Sequence, residues 1–129
     1  MKNLINIEQL TTEEINEISK RASEFEKGIR RANHVNGNII GMFFENSTRT
    51  KLSFEMAVNK INAKYFDFNA DTSSINKGEN LFDTINNLSA IGMNVVVLRH
   101  SDNNLIKELS ENPERWQAFN FLLKDFNLR

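Results

Sequence analysis

The chain has 129 residues with 40% hydrophobic content, enough for one globular domain, since domains of this size bury roughly two-thirds of the surface their unfolded chains expose. Sixteen Lys and Arg against 17 Asp and Glu leave a net charge of -1, so there is no cationic excess to drive counterion release from a nucleic-acid backbone, and nucleic acid is excluded as a partner. Cysteine is absent, which removes disulfides, thiolate metal sites and thiol catalysis together and suits a reducing compartment such as the cytoplasm.

The opening stretch, Met1 to Leu10, mixes Lys, Asn, Glu and Gln with Leu and Ile, and no secretory signal is expected there. Thr11 with Glu14 three residues on is a capping box, and Ile15, Ile18, Ala22 and Phe25 then recur on one face, predicting an amphipathic helix. After Asn36-Gly37-Asn38 the run from Ile39 to Phe44 is apolar on both faces, as a central parallel strand must be. It is far shorter than the ~20 residues needed to cross a bilayer, so a soluble protein without a membrane partner is expected. A second helix is predicted from about Ser47 to Asn62, with Phe54, Ala57, Val58 and Ile61 packed on the sheet.

Lys64 to Phe68 is short and aromatic, a second strand, and it leads into a polar loop from Asn69 to Gly78. Leu81, Ile85, Leu88 and Ile91 predict a third helix ending near Gly92, and Asn94 to Leu98 a third strand. Beyond it Leu105, Ile106 and Leu109 suggest another helix. Pro113 then suits the first turn of a last one, with Trp116, Phe119, Leu122, Leu123 and Phe126 as its apolar face. Alternating strands and helices give an α/β fold, a three- to four-stranded parallel sheet flanked by helices in a single domain.

In open parallel sheets ligands bind outside the carboxyl ends of the strands. The junction there is Phe43-Phe44-Glu45-Asn46-Ser47-Thr48-Arg49-Thr50, where the buried strand runs into the second helix. The first N–H groups of a helix lack internal partners and carry the positive end of its dipole. Ser47, Thr48 and Thr50 add hydroxyl donors, and Arg49 adds a guanidinium fork suited to two phosphate oxygens. A phosphate site fits this pattern; taken alone, so does a polar N-cap beside a solvated Arg. His34 and His100 have no companions at metal-ligand spacing, so no metal is assigned.

The longer string from Phe43 through Ser53-Phe54-Glu55 resembles the signature of the aspartate and ornithine carbamoyltransferases. Ser73-Ser74, Lys77-Gly78-Glu79, Asp83-Thr84 and Leu98-Arg99-His100 follow in the family's order, and Lys-Gly-Glu with Arg-His is similar to the aspartate branch. The resemblance spans about Leu4 to Leu109. It implies a carbamoyl-phosphate-binding domain over residues 1–109, half of the two-domain transferase fold; from about Ser110 the tail departs from the family's sequence, and the stripe from Trp116 to Phe126 leads to the expectation that residues 110–129 form a C-terminal helix packing on the same domain.

It also implies a reaction without cofactor, carbamoyl transfer from carbamoyl phosphate to aspartate in pyrimidine synthesis. Ser47, Thr48, Arg49, Thr50 and Arg99 would hold carbamoyl phosphate or phosphate, with Arg49, Thr50 and Arg99 in catalytic roles and Thr50 near the carbamoyl oxygen. Ser73 and Lys77 would reach a neighbouring subunit's site, as family members are trimers that share active sites. Full-length members continue with a His-Pro-Thr-Gln segment and an aspartate-binding domain, neither of which occurs in these 129 residues. The expectation is therefore a domain that binds and barely turns over. The alternative is a non-catalytic phosphate-binding module, or one that associates with copies of itself or with a full-length relative.

Overall fold

The structure is a computed structural model, and it describes residues 4, 7–31, 33–69 and 80–111. Ser73, Lys77 and most of the predicted polar loop lie outside the described residues, as does the Trp116-to-Phe126 stripe. In chain order the elements are a 3-10 turn (Ile7–Gln9), α1 (Thr12–Glu26), β1 (Asn38–Phe43), α2 (Thr48–Lys60), β2 (Lys64–Asp67), α3 (Leu81–Ala90), β3 (Val95–Arg99) and α4 (Asn103–Glu111).

The three strands form one parallel sheet in the order β2-β1-β3. The run Ile39 to Phe43 occupies its centre, and among the described strands it alone has buried residues on both faces, Ile39 and Gly41 on one and Ile40 and Met42 on the other. Its register sets the two faces of the domain. Ile40 pairs with Val96 and Met42 with Leu98, while Ile39 pairs with Val95, Gly41 with Val97 and Phe43 with Arg99. Ile40 and Met42 face α3 and α4, packing with Leu81, Phe82, Ile85 and Leu109 in the larger core. On the other face Ile39 packs with Val58 of α2 and with Ala63. Met42 is fully buried at the centre.

Gly41 lies on the α2 face where Tyr65 crosses from β2, and an added Cβ would land on the tyrosine hydroxyl and 2.9 Å from Phe43 Cε2. The lack of a side chain there lets the hydroxyl end of the ring approach the strand closely. The Tyr65 hydroxyl oxygen is buried and has no hydrogen-bond partner among the described residues. Burial first, and then the charges of Asp67 and Glu55, raise its pKa above the ordinary phenol value.

Two predicted stripes pack less completely than their spacing suggests. In α2, Val58 is buried and Ile61 half-buried just past the helix, but Ala57 is exposed, and so is Phe54, whose ring lies 6.3 Å from that of Phe43. The capping box of α1 forms as expected, Glu14 N–H donating to Thr11 Oγ1 at 3.1 Å and Thr11 N–H to Glu14 Oε2 at 2.8 Å. Yet no residue of α1 is buried among the described residues, and Ile18 and Phe25 are 54% and 45% exposed. Periodicity dictates that a helix forms and which face is apolar, but it does not supply what covers that face. No helix among the described residues is long and apolar enough to cross a membrane.

Candidate functional site

The chain leaves β1 toward α2 on one face of the sheet, whereas β3 leads into α4, whose Leu109 packs on the other. Adjacent parallel strands whose connections depart to opposite faces leave a crevice at their carboxyl ends. Ser47 and the first turn of α2 line it from β1, and Arg99, the last residue of β3, lines it from the neighbouring strand. A backbone bond from Phe44 N–H to the Arg99 carbonyl, 2.9 Å, holds the two exits together.

Ser47 stands at the N-cap of α2 with φ -152° and ψ 74°, and its side chain makes no capping hydrogen bond. Its hydroxyl instead accepts from Arg99 Nη1 at 3.2 Å. The same nitrogen is 3.4 Å from Thr50 Oγ1, and Arg99 Nε donates to Glu45 Oε2 at 3.1 Å. One guanidinium thus gathers two hydroxyls and one carboxylate at the opening of α2. The backbone N–H groups of the first turn precede the first helical bond, Lys51 N–H to the Ser47 carbonyl at 3.0 Å, and are available to an anion. Arg99 and Glu45 are each about two-fifths exposed, 44% and 39%, so a ligand can reach the guanidinium from solvent and displace the carboxylate.

Of the sequence-predicted residues, Ser47, Thr50 and Arg99 come together. Thr48 is exposed on the same first turn. Arg49 points along the outer face of α2, where it lines an open groove of about 510 Å³ with Leu52, Ser53, Met56, Ala57 and Lys60. It forms no ion pair among the described residues. Beside it, Lys51 Nζ pairs with Asp67 Oδ2 at 2.6 Å, tying the first turn of α2 to the end of β2. Glu45 was assigned no role by the sequence reading. Its pairing with Arg99 across 54 positions follows from the Phe43 to Arg99 register, and no local pattern announces it.

The family model described as aspartate/ornithine carbamoyltransferase, carbamoyl-P binding domain, matches residues 2–125, a span that runs past Leu109 into the tail. The catalytic subunit of aspartate carbamoyltransferase from Streptococcus pyogenes serotype M5 is 44% identical over 114 residues, covering 88% of this chain and 37% of that protein. Among solved structures, the catalytic subunit of M. jannaschii aspartate transcarbamoylase superposes with a TM-score of 0.68 at 34% identity, over 86% of this chain and 40% of that one. Aspartate transcarbamoylase from Trypanosoma cruzi in complex with carbamoyl phosphate gives 0.59 at 34% identity, over 72% and 29%. The chain therefore spans well under half the length of the relatives it matches.

Proposed function

The chain belongs to the aspartate/ornithine carbamoyltransferase family, matching its carbamoyl-phosphate-binding domain, and from that premise we propose that it binds carbamoyl phosphate in the crevice between β1 and β3. The proposed role is the donor half of an aspartate carbamoyltransferase. The observation that carries this reading is the Arg99 guanidinium poised over the hydroxyls of Ser47 and Thr50 at the opening of α2. Together with the first amides of α2, they form a cluster of donors for a dianion. Thr48 and Arg49 belong to the proposed site as flanking donors, with Arg49 turning in from its groove when the ligand arrives.

The chemistry asked of these groups is modest. The amino group of aspartate attacks the carbamoyl carbon, the bond from that carbon to the bridging phosphate oxygen breaks, the amine loses a proton, and phosphate leaves with the electron pair. Positioning and stabilisation of the charge that grows on the leaving group are the main contributions a protein makes to such a step. Arg99 and Thr50 are the proposed stabilising groups, with Thr50 also facing the carbamoyl oxygen and Arg49 holding the phosphate. Ser73 and Lys77 are proposed to serve a neighbouring subunit's site, and residues 110–129 to pack on the domain formed by residues 1–109. The cytoplasm is the proposed setting.

A second reading is a non-catalytic phosphate-binding or subunit-associating module, either a homotrimer or a partner of a full-length relative. The open groove on α2 favours it, with Leu52 and Met56 56% and 58% exposed, because exposed apolar surface at a rim of cations suits a protein contact. Calorimetry with carbamoyl phosphate and inorganic phosphate, repeated on Arg99→Ala and Arg49→Ala, tests the site. An assay with aspartate separates the readings. Binding with robust carbamoyl aspartate formation favours the transferase, binding without turnover favours the module, and a wild-type chain blind to both anions defeats the site itself.

A further inference from the structure

Arg99 and His100 are neighbours in sequence at the end of β3, and the strand alternation sends them to opposite faces. Arg99 pairs in register with Phe43 and meets Ser47 and Thr50 on the α2 side. His100 stacks on Phe44, ring centroids 5.0 Å apart at 53°, and Phe44 belongs to the core on the α3 and α4 side. Phe44 in turn meets Phe68 at 5.8 Å. A row of three rings, Phe68, Phe44 and His100, therefore crosses the carboxyl ends of β2, β1 and β3 in the order of the strands.

The imidazole is also fixed along its other edge. Asp102 N–H donates to His100 Nδ1 at 2.9 Å, and Asp102 Oδ1 accepts from Asn104 N–H at 2.9 Å and Leu105 N–H at 3.3 Å, closing the start of α4. A ring that accepts at Nδ1 carries its proton on Nε2 in the neutral form. His100 is half-buried and links the exits of β1 and β3 to the start of α4, while Arg99 carries the only side chain that bridges Glu45, Ser47 and Thr50 among the described residues.

We infer that His100 is a positioning residue for Arg99: stacked on Phe44 and bonded at Nδ1 to the Asp102 amide, it fixes the end of β3 from the face opposite the ligand and so sets where the guanidinium stands. This rests on the anion site proposed above. A long, flexible guanidinium is useful only if its backbone anchor is held, since a 1 Å misplacement of a binding group can cost on the order of 10²-fold, and side chains that support first-contact groups act through this constraint.

The test uses the full 129-residue chain and inorganic phosphate as the calorimetric probe, on wild type, Arg99→Ala, His100→Ala, His100→Phe and His100→Asn. Asn places its Oδ1 where Nδ1 stands, restoring the acceptor for Asp102 without the ring, whereas Phe keeps the ring and loses the acceptor. His100→Ala is expected to weaken phosphate binding about tenfold, part of the misplacement cost above, and His100→Asn to recover most of that loss with a thermal midpoint no higher than that of His100→Phe. If the Ala variant fails to fold, the Asn and Phe variants carry the same comparison, Asn binding phosphate more tightly than Phe. Nitrogen-15 spectra of the wild type should show a proton-free Nδ1 at His100. Wild-type binding that is abolished by Arg99→Ala but unchanged in the His100 variants, losses that merely follow the thermal midpoints, or a protonated Nδ1 in the neutral ring would overturn this inference and leave the site intact. No phosphate binding by wild type, or binding indifferent to Arg99→Ala, would overturn the site and the inference together.

Discussion

Arg99 Nε donates to Glu45 Oε2 at 3.1 Å, so the guanidinium that reaches Ser47 and Thr50 already faces an internal carboxylate. A dianion entering the crevice must share Arg99 with Glu45 or displace it. Both side chains are substantially exposed, and an exposed pair of this kind is worth only about 0.2–1 kcal/mol. Glu45→Gln keeps the shape and an acceptor while removing the competing charge. It is expected to tighten phosphate binding by about two- to fivefold at low ionic strength, the fold-change that corresponds to the upper part of that range. The gain should shrink as salt screens the charges, and calorimetry at two salt concentrations reads both effects. Weaker binding in Glu45→Gln would mean that the carboxylate serves the ligand by orienting Arg99.

Gly41 is the point where β1 can least accept a side chain. Gly41→Ala drives a methyl group into the Tyr65 hydroxyl and ring and the Phe43 ring, and overpacking of this kind costs about 1–3 kcal/mol. Urea denaturation should show the loss, and Tyr65→Phe in the same chain should recover part of it, because the atom nearest the new methyl is then gone. An unaltered denaturation midpoint in Gly41→Ala would show that β2 gives way easily.

Tyr65 makes stability depend on pH at the alkaline end. Burial of its hydroxyl, then Asp67 and Glu55, raise the folded pKa above the ordinary value, near 10 in an unfolded chain. The fold thus favours the neutral phenol. This contribution is fully present below the unfolded pKa and is lost as pH rises through the higher folded one. The difference in urea midpoint between wild type and Tyr65→Phe should be constant up to about pH 9 and move against the wild type above about pH 10. At neutral pH Tyr65→Phe should be neutral or stabilising, because it removes a buried hydroxyl with no partner among the described residues.

Loss of the α1 cap should be felt locally. Thr11→Ala removes an N-cap acceptor worth about 1 kcal/mol, but α1 buries no residue among those described. Amide exchange in Thr12–Glu26 is therefore expected to rise while the exchange of Ile40 and Met42 in β1 stays unchanged. A matching rise in β1 would show that α1 and the sheet unfold as one unit.

The parallel α/β layout was legible because its signals are local. The doubly apolar run at Ile39 to Phe43, the Thr11 to Glu14 box and the Leu81 and Ile85 spacing each predict an element, and each formed where expected. The stripe on α2 was less faithful, since Phe54 and Ala57 remain exposed and spacing does not reveal how far a partner layer extends. The motif at Ser47 to Thr50 and Arg99 at the end of β3 stand out in the sequence as residue types suited to an anion, and the structure sets Ser47, Thr50 and Arg99 together. Arg49 was placed beside them for its guanidinium fork, and it lines the groove with Leu52, Ser53 and Met56, a side-chain direction that a contiguous motif does not reveal.

By itself the sequence determined the elements, the central strand, the donor-rich turn and the family, all of which depend on residues within a few positions of one another or on a contiguous motif. Only the tertiary structure decided which donors meet. The register that sets Phe43 beside Arg99 brings Glu45, Ser47 and Thr50 to a guanidinium some fifty positions away and sends His100 to the opposite face onto Phe44. The physical reason is that strand pairing is a long-range choice fixed by burying both faces of β1 at once, and a shift of one residue would exchange the faces on which Arg99 and His100 stand.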